Sequence, residues 1–328
     1  MPLDPSATLG VGFLGAGDIA VLHAQAVTKA HNAKLVGLWN RGQDRAKERA
    51  AEFGCRTYAS PEELVNDPAI HAVFVLTNLE THREYAELAL RAGKHVLVEK
   101  PVGVSVAEIE GLDRLATEKG LVCLPGHNYV YEAGMARTKE LVDGGDLGRI
   151  VSAYVMYNIH HPEEVAKRYP GVVRQILTHH SYILLYLVGA PVELCAMKAT
   201  LHYQEYPEED IAMVQMRLAN GALAHFCASF AADDHAADPW TVMVKVIGTA
   251  GSSRYSYRDH VQIKPGQVHS QTYTAYQGSV TNQVRHFLDG CVRLGRPPLS
   301  TLKDAATAQR MIEAAEQSIR DRSVVRLG

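Results

Sequence analysis

The first half of the chain alternates short apolar runs with stretches of helical spacing. The first run, LGVGFL, leads into a glycine turn and then into a helix that we expect to begin near Asp18. Helical stretches also separate the next apolar runs, AKLVGLWN (33–40), HAVFVLT (71–77) and KHVLVEK (94–100). Strands that alternate with helices pair in parallel, so the pattern predicts an α/β fold with a doubly wound parallel sheet.

The second half is dominated by longer runs that alternate between apolar and polar residues or are apolar throughout. Asn220-Gly221 stands between two such runs and is a strong hairpin signal. The last fifty residues return to helical spacing. We therefore predict two domains, residues 1–127 and residues 128–328. The predicted strand segments of the second domain are residues 148–160, 192–203, 211–230, 240–257 and VQIKPG at 261–266.

The composition is that of an ordinary globular protein. Apolar residues make up 47% and charged residues 21% of the 328 residues, and the formal net charge is −3. These values imply no nucleic-acid partner. No segment approaches the roughly 18 apolar residues of a membrane span, and MPLDPSATLG has no leader pattern. The five cysteines are widely spread and never form a CxxC pair, so we expect a cytoplasmic protein without a membrane partner.

The turn after the first strand carries the pattern Gly15-x-Gly17-x-x-Ala20. This is the G-x-G-x-x-G/A fingerprint, whose glycines permit a tight turn and let the backbone approach a pyrophosphate at a helix N-terminus. A plain structural turn can also carry glycines, but the second strand follows at the right distance. The pattern predicts that Gly15, Gly17, Asp18, Ile19 and Ala20 bind NAD(P).

The end of the second strand bears on the choice between NAD and NADP. An acidic residue there would bind the adenosine ribose hydroxyls, whereas an arginine can pair with a 2'-phosphate. This chain has Asn40-Arg41, which lacks the carboxylate that would repel a phosphate. NADP is therefore acceptable, and one interpretation is that it is preferred over NAD. In the other, Arg41 stacks on the adenine or faces solvent.

The segment AGKHVLVEKPVG, which contains Glu99-Lys100-Pro101, resembles the signature of the Gfo/Idh/MocA oxidoreductases. The resemblance extends over nearly the whole chain. Its other segments are TNLETH (77–82), GHNYVYEAGMARTKELVDGGDLGRI (126–150), GTAGS (248–252) and FLDGCVRLGRPPLSTLKDA (287–305).

This resemblance implies a fold, an assembly and a set of cofactor contacts. An N-terminal Rossmann domain should be followed by an α/β domain with an open, mostly antiparallel sheet. The outer face of that sheet often forms a dimer or tetramer interface in the family, so we expect a homodimer or homotetramer. The cofactor contacts implied beyond the first two strands are those of Thr77, Asn78, His82, Glu99 and Lys100.

The resemblance also implies two catalytic side chains. Lys100 matches the lysine that reaches the oxidised hydroxyl, where a cation would stabilise the developing negative charge. Family members carry an Asp-x-Gly-x-His motif whose histidine lies ten positions before a closing glycine, and counting back from Gly189 gives His179. A histidine suits a general base because its ordinary pKa is about 6.5. The alternative is that His179 caps a helix beginning near Thr178.

The chain departs from that motif at three positions. Gln175 stands in place of the aspartate, Leu177 in place of the glycine, and Tyr182 in place of the acidic residue that often follows the histidine by three positions. Gln175 can hydrogen-bond a hydroxyl but cannot hold a negative charge. Either His179 works with Lys100 alone, or the site serves another substrate or another net reaction.

The remaining candidates concern the substrate. The resemblance places the loop of residues 157–175 over the substrate pocket, where its basic residues would suit a sugar carboxylate or a phosphate. The alternative is a solvated loop whose charge Glu163 and Glu164 balance. His180 lies about 100° round the helix from His179, so the two should not face one substrate atom. The predicted substrate-binding residues are Tyr129, Arg174, Gln175, His179 and His180.

The sequence-level hypothesis is an NAD(P)-dependent oxidoreductase acting on a secondary alcohol or ketone of a sugar, sugar acid or cyclitol. A redox-neutral isomerase, epimerase or lyase with a tightly held cofactor is one alternative. A non-catalytic regulator that senses nicotinamide nucleotides is the other. No His-x-x-x-His or acidic spacing supports a metal site.

Overall fold

A computed structural model describes residues 7–256 except 231–240, and residues 268–327, with the backbone alone for 268–275. The described chain forms two sheets, and it divides into two compact units. The first unit comprises Met1–Tyr131 and Gln277–Ala306, and the second comprises Glu132–Tyr276 and Thr307–Gly328.

The first unit is built on a six-stranded sheet in which every neighbouring pair is parallel, in the order β3-β2-β1-β4-β5-β6. The central strands β1, β4 and β5 are almost wholly buried because helices cover both faces of such a sheet. The predicted doubly wound parallel sheet is confirmed. The strands are β1 Leu9–Leu14, β2 Ala33–Trp39, β3 Arg56–Thr57, β4 Ala72–Val75, β5 His95–Val98 and β6 Cys123–Pro125.

The helices of this unit begin and end at residues suited to those positions. The hydroxyls of Ser60 and Ser105 accept hydrogen bonds from the backbone N–H of Glu63 and Glu108, which satisfies an unpaired donor at each helix start. Gly120 closes one helix in the left-handed conformation. The helices are α1 Asp18–Val27, α2 Gln43–Phe53, α3 Pro61–Asn66, α4 His82–Arg91 and α5 Val106–Lys119, with 3-10 turns at Leu79–Thr81 and Asn128–Tyr131.

The second unit contains a seven-stranded sheet in the order β12-β11-β7-β10-β9-β8-β13. All its pairs are antiparallel except β7 with β10, which confirms the predicted open, mostly antiparallel sheet. Gly221 has a φ of 85° in the turn between β9 and β10, as the hairpin signal predicted. The strands are β7 Ile150–Asn158, β8 Pro191–Ala199, β9 Ile211–Leu218, β10 Leu223–Ser229, β11 Thr241–Gly248, β12 Ser252–Ser256 and β13 Val325–Arg326.

The alternation along β9 explains how this sheet presents two different faces. Ala212, Val214 and Met216 are buried, whereas Met213 and its neighbours at every second position are exposed. The predicted strand at 261–266 lies outside the described residues. The helices are α6 Ala133–Asp143, α7 Glu163–Ala166, α8 Gly171–Gln175, α9 Leu177–Val188, α10 Val268–Arg285 and α11 Leu302–Asp321, with a π-helical segment at His286–Arg293 that follows α10.

The division of the chain differs from the predicted boundary after residue 127. Residues 277–306 lie far along the chain but belong to the first unit. The reason is packing and hydrogen bonding: the ring of Phe287 lies 5.9 Å from that of Phe74, and the Gln283 amide donates to the carbonyl of Pro125 at 3.0 Å. Helical spacing shows that a segment packs against something, but it does not show which sheet.

Candidate active site

The glycine turn at the end of β1 is shaped by the backbone of a neighbouring strand. Gly15 has a φ of 114°, and a Cβ atom there would lie 2.6 Å from the carbonyl oxygen of Leu76. Its N–H donates to the carbonyl of Trp39 at 2.8 Å. Glycine is therefore required at position 15 by the protein itself, since a side chain has neither space nor a relaxed conformation there.

Gly17, the second glycine, stands in a different environment. Its φ is −69°, which any residue adopts, and a Cβ atom built on it meets no protein atom within 4 Å. The open space lies at the N-terminus of α1, where unpaired backbone N–H groups favour an anion. Among the described residues no contact requires a glycine at this position, so the space is open to a ligand.

The first turn of α1 presents the other residues of the fingerprint. Ala20 is buried and its N–H donates to the carbonyl of Gly17 at 3.1 Å, whereas Ile19 is half-buried. Asp18 is exposed and forms ion pairs with Arg45 at 3.0 Å and Arg49 at 3.5 Å. Its carboxylate therefore points to the α2 arginines in this arrangement, and its predicted contact with the cofactor stays a prediction.

The end of β2 is tied to the glycine turn. The Asn40 side-chain oxygen accepts from the Ala16 N–H at 3.2 Å, and its amide donates to the Gly42 carbonyl at 3.0 Å. Arg45 of α2 donates from Nε to the Ala16 carbonyl at 2.9 Å, a contact that sequence reasoning missed. Arg41 is exposed. The amide of Asn40 and the guanidinium of Arg45 thus contact this turn, and β2 contributes no carboxylate to it.

The segment after β4 is fastened to the segment after β5 by a histidine. His82 is 2% exposed, and its ring nitrogens lie 2.7 Å from the Pro101 carbonyl and 2.9 Å from the Thr77 carbonyl. Burial lowers the pKa of His82, although the two carbonyls oppose this shift. Thr77 is half-buried and Asn78 is exposed. His82 therefore joins the two loops, and its predicted cofactor contact stays a prediction.

Lys100 is half-buried and follows β5 beside the carboxylate of Glu99. Burial lowers the pKa of Lys100 to about 8, although the charge of Glu99 opposes the shift. The Glu99 carboxylate accepts a hydrogen bond from the backbone N–H of Lys100 at 3.1 Å. It also lies 2.8 Å from Nε2 of His23. Burial alone would raise the pKa of Glu99, but His23 and Lys100 outweigh it, so the pKa is lowered and the carboxylate is ionised.

Two further histidines of the first unit were missed by sequence reasoning. His23 of α1 is fully buried beside the rings of Phe13 and Phe74. His127 is 1% exposed, and its Nδ1 lies 2.6 Å from the Ser300 hydroxyl. Burial, and then the charge of Lys100, lower the pKa of His127 to about 3, so it is neutral. Their partners, Glu99 and Ser300, lie far away in the sequence, so no local pattern pointed to these contacts.

Tyr129 lies in the 3-10 turn that follows β6. It is 1% exposed, and the neighbouring Asn128 donates from its side-chain amide to the Ser279 hydroxyl at 2.5 Å. Its predicted contact with the substrate stays a prediction.

The other candidate catalytic residue belongs to the second unit. His179 is 3% exposed, and its Nδ1 lies 2.7 Å from the hydroxyl oxygen of Tyr182. The helix α9 begins at Leu177 and has no side-chain capping hydrogen bond. The His179 side chain therefore does not cap the helix, and its ring is directed along α9 toward Tyr182.

The neighbouring substrate candidates have different surroundings. Arg174 pairs with both carboxylate oxygens of Glu316, at 2.5 and 3.2 Å, and Gln175 is half-buried at the end of α8. His180 is fully buried against the rings of Phe226 and Tyr157. Burial lowers its pKa to about 3. This is the environment of a core residue, and it gives no support to a substrate contact by His180.

The loop of residues 157–175 is held to the segment before β9. The Tyr203 hydroxyl donates to the carbonyls of His161 at 2.6 Å and Phe230 at 2.9 Å. Lys167 forms ion pairs with Glu164 at 2.8 Å and Glu205 at 3.0 Å. These pairs favour the interpretation in which acidic residues balance the charge of the loop.

The described part of the chain has neither a metal-binding cluster nor a membrane-spanning helix. Across residues 7–230, 241–256 and 268–327, no group of three or more His, Cys, Asp or Glu residues is placed to hold a metal ion. Within the same ranges, no helix is long and apolar enough to cross a membrane. All five cysteines are free thiols.

Comparison with known proteins covers both units. The model of an oxidoreductase family with an NAD-binding Rossmann fold matches residues 9–127, and the model of its C-terminal α/β domain matches residues 139–327. Scyllo-inositol 2-dehydrogenase (NAD(+)) of Bacillus subtilis (strain 168) is 26% identical over 96% of this chain and 95% of its own length. Myo-inositol 2-dehydrogenase of Thermotoga maritima is 23% identical over 97% of this chain and 98% of its own.

A solved structure shares the fold. The crystal structure of scyllo-inositol dehydrogenase from Lactobacillus casei, with bound NAD(H) and scyllo-inositol, has a TM-score of 0.85 and is 19% identical. The match covers 97% of this chain and 99% of that chain. At this identity the likeness establishes the fold of both units.

Proposed function

Because the chain belongs to the Gfo/Idh/MocA oxidoreductase family, we propose that it is an NAD(P)-dependent dehydrogenase of a secondary alcohol on a sugar or cyclitol. The observation that carries this proposal is the position of Lys100 together with its lowered pKa. This residue follows β5 at the carboxyl edge of the parallel sheet, where ligands bind in such folds. Its pKa of about 8, set by burial against the pull of Glu99, leaves it mostly protonated at neutral pH.

In the proposed mechanism, two side chains handle the reacting hydroxyl. Lys100 donates a hydrogen bond to the substrate oxygen and stabilises the negative charge that develops there. Nε2 of His179 accepts the hydroxyl proton as the carbinol carbon becomes a carbonyl and gives up its hydride. The nicotinamide, when bound, supplies the hydride acceptor. In the direction of reduction, His179 returns the proton and Lys100 polarises the ketone.

The cofactor proposal rests on the glycine turn and on the end of β2. The open space at Gly17 admits a pyrophosphate at the start of α1. Asn40 brings no negative charge to the end of β2, where Arg41 follows it in the sequence and Arg45 contacts the glycine turn. Both NAD and NADP are therefore proposed as cofactors, with NADP favoured by the guanidinium groups.

The substrate proposal is a neutral cyclic polyol, such as a cyclitol. Arg174 and Lys167 are engaged by Glu316, Glu164 and Glu205, so two of the basic side chains of this loop are already paired with carboxylates of the chain itself. Gln175, with Tyr129, would hydrogen-bond the hydroxyls that do not react. Two of the relatives named above act on inositols, which are polyols of this kind.

An assembly of identical subunits is also proposed, through the open face of the second sheet. Neighbouring strands align Met197, Met213, Cys227, Met156 and Met243 in one row across five strands. In this row Met197 is 79% and Met213 46% exposed, Met156 and Met243 are half-buried, and Cys227 is buried. A methionine-rich face on this scale is typical of a protein interface. We propose a homodimer or homotetramer, and a cytoplasmic location consistent with the free thiols.

The test is a substrate screen with purified protein. Inositols, neutral sugars, aldonic acids and uronic acids are each incubated with NAD or NADP, and both reduced cofactor and substrate loss are followed. We expect cofactor reduction with a neutral polyol, lost by orders of magnitude in Lys100→Met and His179→Ala, which should still bind nucleotide. Substrate loss without net reduction would favour the redox-neutral alternative. Nucleotide binding without any turnover would favour the sensor.

A further inference from the structure

His179 and Tyr182 form a hydrogen-bonded pair inside the second unit. Positions three apart on a helix are neighbours on one face, and α9 brings Nδ1 of the histidine to 2.7 Å from the tyrosine hydroxyl oxygen. The two residues are 3% and 1% exposed. Such a buried contact has a fixed geometry, because neither side chain can exchange its partner for bulk water.

Neighbouring elements also bring aromatic and titratable groups to α9. The Tyr157 ring on β7 lies 5.8 Å from the His179 ring. His180, on the same helix, is directed toward β10 and contacts the ring of Phe226. His225 and Cys227 lie on that strand as well. On α8, Arg174 is paired with Glu316. The hydrogen-bond partner on Nδ1 is thus a neutral phenol.

We infer that Tyr182 is the positioning residue of the candidate base, and that its hydroxyl oxygen accepts the hydrogen bond from Nδ1–H of His179. A neutral imidazole carries one N–H, so with the proton on Nδ1 the nitrogen that can accept a proton from a hydroxyl is Nε2. This inference rests on the proposed function, in which His179 accepts that proton.

A phenol partner has an electrostatic consequence that a carboxylate partner would not have. Tyrosine is neutral up to a pH of about 10, so it orients the ring without strongly stabilising the imidazolium. A carboxylate at the same position would stabilise the imidazolium and raise the pKa of His179. The present pair should therefore keep His179 unprotonated, and able to accept a proton, to lower pH than a histidine–carboxylate pair would.

The experiment measures kcat/KM against pH from 5 to 9 with the best polyol from the screen. Tyr182→Phe removes the hydroxyl and keeps the ring, so kcat/KM should fall about 10- to 100-fold through misorientation of the base. Nucleotide affinity and melting temperature should stay near wild type. The matched control is Tyr186→Phe, a tyrosine one turn further along α9 that lies against Lys139, and its profile should not change.

A charged replacement at position 182 gives a measurement, the pH of the acid limb, that would not change if Tyr182 had only a structural role. Tyr182→Glu should shift the acid limb of the profile to higher pH by about one unit, because the carboxylate favours the imidazolium. If Tyr182→Glu does not fold, Tyr182→Gln takes its place: its amide oxygen can accept from Nδ1–H, so it should recover part of the activity lost in Tyr182→Phe with no shift of the limb.

The outcomes separate this inference from the proposed function. Wild-type kcat/KM in Tyr182→Phe, together with an inactive His179→Ala, would overturn the role of Tyr182 and leave the proposed function standing. Full turnover in His179→Ala would remove the base itself, and both would fall. If the acid limb stays at the same pH in Tyr182→Glu, the expectation that a carboxylate at this position would stabilise the imidazolium is contradicted.

Discussion

Nε2 of His23 donates a hydrogen bond to Oε1 of Glu99 across 2.8 Å, with the histidine fully buried and the carboxylate side chain 12% exposed. His23 lies on α1, the helix that follows the glycine turn, and Glu99 follows β5. The bond therefore links the proposed pyrophosphate site to the segment that carries Lys100. It also keeps the Glu99 carboxylate beside the Lys100 ammonium, where its negative charge opposes the lowering of the Lys100 pKa by burial.

The first prediction concerns the basic limb of the pH profile. Protonated Lys100 is the active form, so kcat/KM should fall as the pH rises through about 8. Glu99→Gln keeps the shape but removes the charge that raises the pKa of Lys100, so this limb should move to lower pH by about one unit. Glu118→Gln, which removes an exposed carboxylate from α5, is the control. An unmoved limb in Glu99→Gln would show that Lys100 does not set it.

The second prediction separates the two glycines of the turn. Gly15→Ala should lower the free energy of unfolding by about 2 kcal/mol or more, because its Cβ would clash with the Leu76 carbonyl in a left-handed conformation. Gly17→Ala should fold normally but lose nucleotide affinity, because its methyl group would occupy the space proposed for the pyrophosphate. Melting curves and fluorescence titration with NAD measure the two effects. Unchanged nucleotide affinity in Gly17→Ala would contradict the site.

The features that depend on short stretches of sequence were predicted correctly. The alternation of strands and helices predicted the parallel sheet, and Asn220-Gly221 predicted a hairpin that the structure confirms. The contacts of His23 with Glu99 and of His127 with Ser300 join residues 76 and 173 positions apart. No spacing rule covers such distances, so these polar partners were invisible in the sequence.

The same limit applies to the departures from the family motif. Tyr182 could be recognised in the sequence as a replacement for an acidic residue, but the sequence could not show whether its hydroxyl contacts His179. Residues 281–294 read as an amphipathic helix, yet only the fold shows that Phe287 packs on Phe74 of the first unit. An apolar stripe indicates that a helix packs against another part of the protein, but it does not identify that part.

The third prediction addresses cofactor choice. Asn40→Asp preserves the oxygen that accepts from the Ala16 N–H and adds a charge that repels a 2'-phosphate. The Kd for NADP should rise at least about tenfold while the Kd for NAD changes little. Arg41→Ala serves as the companion variant, since it removes positive charge without adding a negative one. Equal changes in both affinities would place position 40 away from the ribose.

The fourth prediction concerns assembly. Met213→Glu places a charge in the methionine row on the open face of the second sheet, where burial against another subunit would be costly. The variant should elute at a smaller mass than the wild type in size-exclusion chromatography with light scattering, with little change in melting temperature. Leu294→Glu, at an exposed leucine of the first unit, is the control. A wild-type oligomer in Met213→Glu would exclude this face.

The last prediction concerns stability at acid pH. Burial of His180 lowers its pKa to about 3, whereas an unfolded chain has an ordinary histidine pKa of about 6.5. Between these values the unfolded state binds one more proton than the folded state, so the free energy of unfolding falls as the pH falls. The slope from this one residue approaches about 1.4 kcal/mol per pH unit once the pH is about one unit below 6.5.

His180→Phe should remove that contribution, because phenylalanine cannot take up a proton and can keep an aromatic ring against Phe226 and Tyr157. The free energy of unfolding in urea, measured from pH 4.5 to 8, should decline less steeply in the variant than in the wild type. His82 and His127 are also buried with lowered pKa values, and their contributions persist in both proteins. Parallel curves for wild type and variant would mean that His180 reaches solvent or a partner when it is protonated.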